Sequence, residues 1–280
     1  MPSHRGGHLG GGAASTSLPA GIPGGGGVCH VGSASLQKVP ALLIQPPHFR
    51  RLPPATTTPP MTPDQIAQAN VELRDAAPLD IVRWAIAQAG GRAIVSTNFR
   101  PFEAVILHLA TQVQPDIPVL WVDHGYNRPA TYTHGEAVKN LLGLKIKAYV
   151  PKITTAHYDA VFGGAPDPTP ENEDRIKAFS TAMKLEPFQR GMRELAPTVW
   201  ITALRKAQNP NRAGLDIVSH DGNFGALKVS PVFHWSEQQM DDYLTANGLP
   251  NEWDYFDPAK ADEKRECGLH VAWGGDAVKA

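Results

Sequence analysis

The chain has 280 residues, enough for one sizeable buried core, with 26 Lys and Arg against 27 Asp and Glu and a formal charge of −1. That balance gives no electrostatic reason to expect nucleic acid as a partner, and no apolar run approaches the roughly 20 residues of a membrane-spanning helix. Two cysteines, Cys29 and Cys267, are too few for a disulfide framework, a four-cysteine zinc site or a cysteine-ligated iron–sulfur cluster, so a cytoplasmic enzyme without membrane attachment is expected.

Residues 1–60 differ in composition from the remainder. They hold glycine runs and Pro-Pro pairs, and no Asp or Glu precedes Asp64. Such a segment buries too little apolar surface to offset its ordering entropy, so a disordered leader is expected. Its lack of acids suits a targeting peptide, its glycines and prolines oppose the helix such peptides form, and Met61 is an alternative start. Cys29 reads there as an unstructured thiol.

The body, 61–250, opens at Thr62-Pro63-Asp64-Gln65, a capping box with Pro at the first helical position. Val82, Ala85, Ile86 and Ala89 then line one face of a second helix, which Gly90-Gly91 stops. Ala93-Ile94-Val95 reads as a buried strand followed by a helix over 101–113. Val119 to Val122 is a second strand followed by a helix over 129–142, and Leu144 to Val150 a third. Gly163 to Asp174 reads as a surface loop, followed by a helix over 187–195 and a strand from Val199 to Ala203. Short strands at 215–218 and 227–232 precede a helix that begins with a second capping box, Ser236-Glu237-Gln238-Gln239. Strands alternating with helices predict an α/β fold: an open, mostly parallel, twisted sheet with helices on both faces. Residues 251–280 form a tail with little periodicity, which must be placed by docking.

In such a sheet ligands bind beyond the carboxyl ends of the strands. Ser96, Thr97, Asn98, Phe99 and Arg100 end the first strand. Their hydroxyls, cation and following helix start suit a phosphate or sulfate, although hydroxyls there also serve as plain caps. Asp123, His124 and Gly125 end the second strand, where Gly125 allows close approach to the backbone and a capped turn is the alternative. Arg205, Lys206 and Arg212 follow a further strand and suit a polyanion, or form a solvated basic loop; Lys184 is one more cation. Cys267 lies in Lys264-Arg265-Glu266-Cys267-Gly268-Leu269-His270, where neighbouring cations raise the thiolate population. Cys267 and His270 supply only two potential ligands, so no metal site is expected.

Taken in this order and spacing, over about 78–270, the segments resemble the phosphoadenylyl-sulfate (PAPS) reductase family, on the adenine-nucleotide alpha-hydrolase-like fold. Glu266-Cys267-Gly268-Leu269-His270 matches the family's catalytic motif, and Lys184-Leu185-Glu186-Pro187 resembles its Lys-x-x-Pro segment. Arg205 and Arg212, with Gln208 between them, match its arginine loop. Val122-Asp123-His124-Gly125 resembles its Leu-Asp-Thr-Gly edge, and Ser96 to Arg100 its phosphate loop. The resemblance implies that Cys267 attacks the sulfo group of PAPS and becomes an S-sulfocysteine, which thioredoxin or glutaredoxin then reduces. It implies that Lys184, Arg205 and Arg212 neutralise the nucleotide, with Lys264 and Arg265 beside the thiolate and His270 orienting the tail or the sulfo group. It also implies that no cofactor is bound, and it brings a homodimer as an expectation.

The sequence departs from the fold's relatives in three places. Ser-Thr-Asn-Phe-Arg lacks the Ser-Gly-Gly-x-Asp-Ser of the pyrophosphatase version, which argues against ATP cleavage. The Cys-Cys and Cys-x-x-Cys ligands of cluster-bearing adenylyl-sulfate (APS) reductases are absent, which favours PAPS over APS. The segment between Trp253 and Cys267 is shorter than the family's. A cluster-free APS reductase, an ATP-using enzyme and a non-catalytic nucleotide-binding protein are the alternatives.

Overall fold

The computed structural model describes residues 60–258, apart from residues 168 and 213. The leader up to residue 59, and Lys264, Arg265, Cys267 and His270, lie outside the described residues. Helices α1 (Pro63–Glu72) and α2 (Pro78–Gln88) precede β1 (Ala93–Thr97), α3 (Glu103–Val113), β2 (Pro118–Val122), α4 (Pro129–Leu142) and β3 (Lys145–Tyr149). There follow α5 (Thr155–Phe162), α6 (Glu173–Ser180), α7 (Glu186–Leu195), β4 (Val199–Ile201), β5 (Val218–His220), β6 (Leu227–Val229) and α8 (Glu237–Ala246). Both expected capping boxes are present. The Thr62 hydroxyl accepts from the N–H of Gln65 at 3.3 Å, and the Ser236 hydroxyl from that of Gln239 at 3.2 Å.

The six strands run in the order β3-β2-β1-β4-β6-β5, with every neighbouring pair parallel except β5 and β6. The chain winds outward from β1 to β3 and then returns to lay β4 on the other side of β1. The crevice between the carboxyl ends of β1 and β4 is therefore the topological switch point, where an open sheet leaves room for a ligand.

Alternation along the central strands builds two cores. Val95, Val119, Val199 and Ile201 face one side with Ile81, Val82 and Ala85 of α2 and most of α3. Ile94, Leu120 and Trp200 face the other, against Phe188 and Met192 of α7. Gly191 lets α7 lie close on that face: a Cβ there would stand 2.9 Å from Leu120 Cδ1 and from the Tyr149 ring.

Three local readings shift. The helix expected from residue 101 begins at Glu103, because Phe102 takes a left-handed φ of 70°. The strand expected at 215–218 is Val218–His220, an antiparallel edge. Helices α5 and α6 were not expected. In α6 only Ile176 and Phe179 are buried, too thin an apolar stripe to read from periodicity. A single π turn, Thr181–Leu185, joins α6 to α7 and carries Lys184. Among the described residues no helix is long and apolar enough to cross a membrane.

Candidate active site

The loop after β1 is held from within. Glu103, 6% exposed, accepts hydrogen bonds from the Thr97 hydroxyl at 2.8 Å and the Asn98 backbone N–H at 2.6 Å, and pairs with Arg100 Nε at 2.8 Å. Thr97 Oγ1 in turn accepts from the Phe99 N–H at 2.9 Å. The Ser96 hydroxyl accepts from Trp200 Nε1 at 2.8 Å. Phe99 and Phe102 both have positive φ, 54° and 70°, an uncommon conformation for residues with a Cβ. Packing sustains it: the Phe99 ring is buried edge-on to Trp121, and Phe102 N–H donates to Asn251 Oδ1 at 2.8 Å. Of the five residues expected to bind anions here, Ser96, Thr97 and the Asn98 and Phe99 backbone N–H groups make hydrogen bonds within the protein, and Arg100 adds a guanidinium paired with Glu103.

The loop after β2 is likewise internally tied. Asp123 accepts from Gly125 N–H at 3.0 Å, from Asn127 Nδ2 at 3.2 Å and from the Tyr132 hydroxyl at 2.7 Å. Gly125 has φ 76°, and a Cβ there would meet Thr155 Cγ2 at 2.6 Å. His124 is buried and its Nδ1 accepts the Tyr126 N–H at 3.1 Å, so the neutral ring carries its proton on Nε2. Burial first, and then the charge of Lys184, hold His124 down at about 4, with Asp257 and Asp123 opposing. The ring is neutral at physiological pH.

The loop after β4 brings in two more guanidiniums. Gln208 Oε1 accepts from the Arg205 N–H at 3.1 Å and from Arg212 Nη1 at 2.5 Å, while Arg212 Nη1 also reaches the Arg205 carbonyl. Arg205 is 2% exposed and lies over the Phe102 ring at 5.3 Å. Its Nη2 approaches Glu237 at 3.4 Å, and its Nη1 is buried with no hydrogen-bond acceptor among the described residues. Burial pushes Arg205 below its ordinary value. Glu237 opposes this, and repulsion from Arg100 and Arg212 adds to it. Three cations are thus concentrated at the switch point against their mutual repulsion. Arg100, Arg205 and Arg212 line one cavity of about 660 Å³ together with the carboxylates of Glu237 and Asp257 and the rings of Trp253, Tyr255 and Phe256. Guanidiniums and aromatic rings lining one cavity suit a phosphorylated aromatic ligand.

Lys184 does not itself line the cavity, but its partner Asp257 does. Lys184 is 4% exposed and pairs with Asp257, 8% exposed, at 2.6 Å. Three participants escaped sequence reasoning. Glu103 had a local signal, an acid three residues after Arg100 at a helix start. Asp257 had none, because its partner lies 73 residues away. The aromatic roof falls in the aperiodic tail. Among the described residues no group of three or more His, Cys, Asp or Glu side chains could hold a metal ion.

Comparison with known proteins identifies the family and the fold. Residues 92–253 match the family described as phosphoadenosine phosphosulfate reductase domain. A phosphoadenosine 5′-phosphosulfate reductase from Synechococcus sp. is 32% identical over 229 residues, covering 74% of this chain and 97% of that protein. One from Vibrio campbellii is 32% identical over 234 residues, covering 76% and 88% respectively. The crystal structure of phosphoadenylyl-sulfate reductase from Candida auris superposes with a TM-score of 0.60 at 22% identity, over 70% of this chain and 91% of that one, and so shares the fold. With the family matched over most of the body and the relatives covered nearly end to end, this chain belongs to the phosphoadenosine phosphosulfate reductase family, enzymes of sulfate assimilation.

Proposed function

We propose that the protein reduces PAPS to sulfite and adenosine 3′,5′-bisphosphate, with electrons from thioredoxin or glutaredoxin. The observation that carries this reading is the convergence of Arg100, Arg205 and Arg212 on one cavity at the switch point. PAPS carries a 3′-phosphate in addition to its phosphosulfate, and three guanidiniums match that charge better than they match APS. The buried Nη1 of Arg205 is a donor suited to a phosphate oxygen. The Asn98 side chain, and the Asp123-His124-Gly125 turn at the neighbouring strand end, complete the binding edge.

In this reading the Cys267 thiolate attacks the sulfur of the sulfo group. An S–S bond forms as the S–O bond breaks, and adenosine 3′,5′-bisphosphate leaves with its charge neutralised by the arginines. A thiolate of the external dithiol then attacks Cys267 Sγ and displaces sulfite. Its second thiol resolves the mixed disulfide, so the dithiol loses the two electrons that the sulfur gains. Lys264 and Arg265 favour the thiolate, and His270 orients the tail or the sulfo group. An outside reductant fits residues 61–280, where Cys267 is the only cysteine, which also leaves no ligand set for an iron–sulfur cluster. The enzyme works in the cytoplasm, with residues 61–250 binding nucleotide and 251–280 delivering the thiol. The family's pairing makes a homodimer the assembly to test by light scattering.

Intact mass after mixing with PAPS and no reductant tests the mechanism. One added sulfo group is expected on the wild type and none on Cys267→Ser; no gain, or a gain that survives the substitution, rejects it. Turnover of PAPS against APS with thioredoxin present tests the substrate, and a preference for APS rejects the assignment.

A further inference from the structure

Two carboxylates line the arginine cavity, and they sit there differently. Asp257 is buried and pairs with Lys184 at 2.6 Å. Glu237 opens α8, its side chain is 72% exposed, and its Oε1 lies 3.4 Å from Arg205 Nη2. That distance is longer than the about 2.7–2.9 Å of a tight charge-assisted hydrogen bond. A long, exposed side chain held so loosely loses little when it turns to water.

Arg205 has no such exit. It is 2% exposed, its Nη1 is buried with no acceptor among the described residues, and Arg100 and Arg212 repel it. Glu237 offsets part of that repulsion. It engages Nη2 and leaves Nη1 without an acceptor, although a guanidinium fork suits an anion that meets two of its N–H groups at once. A phosphate has the oxygens to do so. The pair therefore joins a fixed, under-used donor to a mobile acceptor, at the edge of a cavity suited to phosphate.

We propose that Glu237 is a placeholder anion, which neutralises Arg205 while the cavity is empty and yields it to a phosphate of the nucleotide. The proposal rests on the reading that Arg205 takes a phosphate of PAPS. Each phosphate bound there first displaces a carboxylate, so a dianion competes well and a singly charged group poorly. The same competition lowers the affinity for adenosine 3′,5′-bisphosphate, because Arg205 has a partner to return to when the product leaves.

Glu237→Gln keeps the side chain's shape and removes its charge, at an exposed position where the fold tolerates change. In about 0.15 M salt, which screens distant charges, the bisphosphate should bind this variant about three- to fivefold more tightly than wild type by calorimetry. Its inhibition constant as a product should fall by the same factor. Damage to the cavity would weaken binding, so a gain isolates the competition. In Arg205→Met the contested group is gone, and adding Glu237→Gln should there change affinity by less than about twofold. Weaker binding by Glu237→Gln, a gain below about twofold, or an equal gain in the Arg205→Met background would overturn the proposal. If the wild type fails to bind the bisphosphate, the reading of the substrate fails, and inorganic pyrophosphate titrated into the same variants decides the placeholder by the same limits. A cavity that takes neither anion overturns both.

Discussion

Glu103 accepts the backbone N–H of Asn98 at 2.6 Å, and the same carboxylate holds Arg100 Nε at 2.8 Å. A loop amide at the carboxyl end of β1 is therefore satisfied by the protein itself, and the same carboxylate steadies the Arg100 guanidinium. In the proposed function, side-chain cations at this edge take the place of a cradle of backbone amides.

Glu103→Gln tests that relationship. The amide can keep one acceptor but loses the charge facing Arg100, so the variant should be destabilised by about 1–3 kcal/mol in urea unfolding. Its KM for the nucleotide should rise more than its kcat falls, because the misplaced group binds substrate.

Arg205→Met should separate affinity from stability. Removing a charge-assisted contact to phosphate should weaken nucleotide binding by about 10- to 100-fold, measured by calorimetry. The unfolding midpoint should stay level or rise, since an apolar side chain replaces a guanidinium that is 2% exposed and repelled by Arg100 and Arg212.

His124 predicts an acid limb in the stability profile. Its folded value, about 4, lies below the ordinary histidine value of 6.5, so between those limits the unfolded chain binds more protons. The stability is complete above pH 6.5 and is lost as pH falls toward 4, by on the order of 3 kcal/mol. Burial also lowers His108 and His134, which act with the same sign. In His124→Asn, whose amide oxygen can still accept the Tyr126 N–H, chemical unfolding at stepped pH should show a shallower slope over this window.

Gly191→Ala should be costly for its size. The new Cβ would stand 2.9 Å from Leu120 and Tyr149, and overpacking of this kind costs about 1–3 kcal/mol. Gly222→Ala, where a Cβ meets nothing within 4 Å, should change stability by less than about 0.5 kcal/mol. Thermal unfolding of the two variants makes the comparison.

Local chemistry determined much of this protein. The capping boxes at Thr62 and Ser236 announce their helices, because a cap is a contract between residues three apart. Short apolar runs at 93–95 and 119–122 mark the central strands, and the matches at Asp123, Lys184, Arg205 and Arg212 point to the family. Short range is also where the reading weakens: α6 buries only Ile176 and Phe179, and its start is hidden behind prolines.

Tertiary structure alone decided which cations meet. Arg100 and Arg212 are 112 positions apart in sequence, and only the return of the chain from β3 to β4, beside β1, brings them to one cavity. Lys184 reads in sequence as one more cation of the same set. The fold buries it against Asp257, 73 residues on and itself part of the cavity's lining, a pairing that no periodicity encodes, because burial and Coulomb attraction act through space.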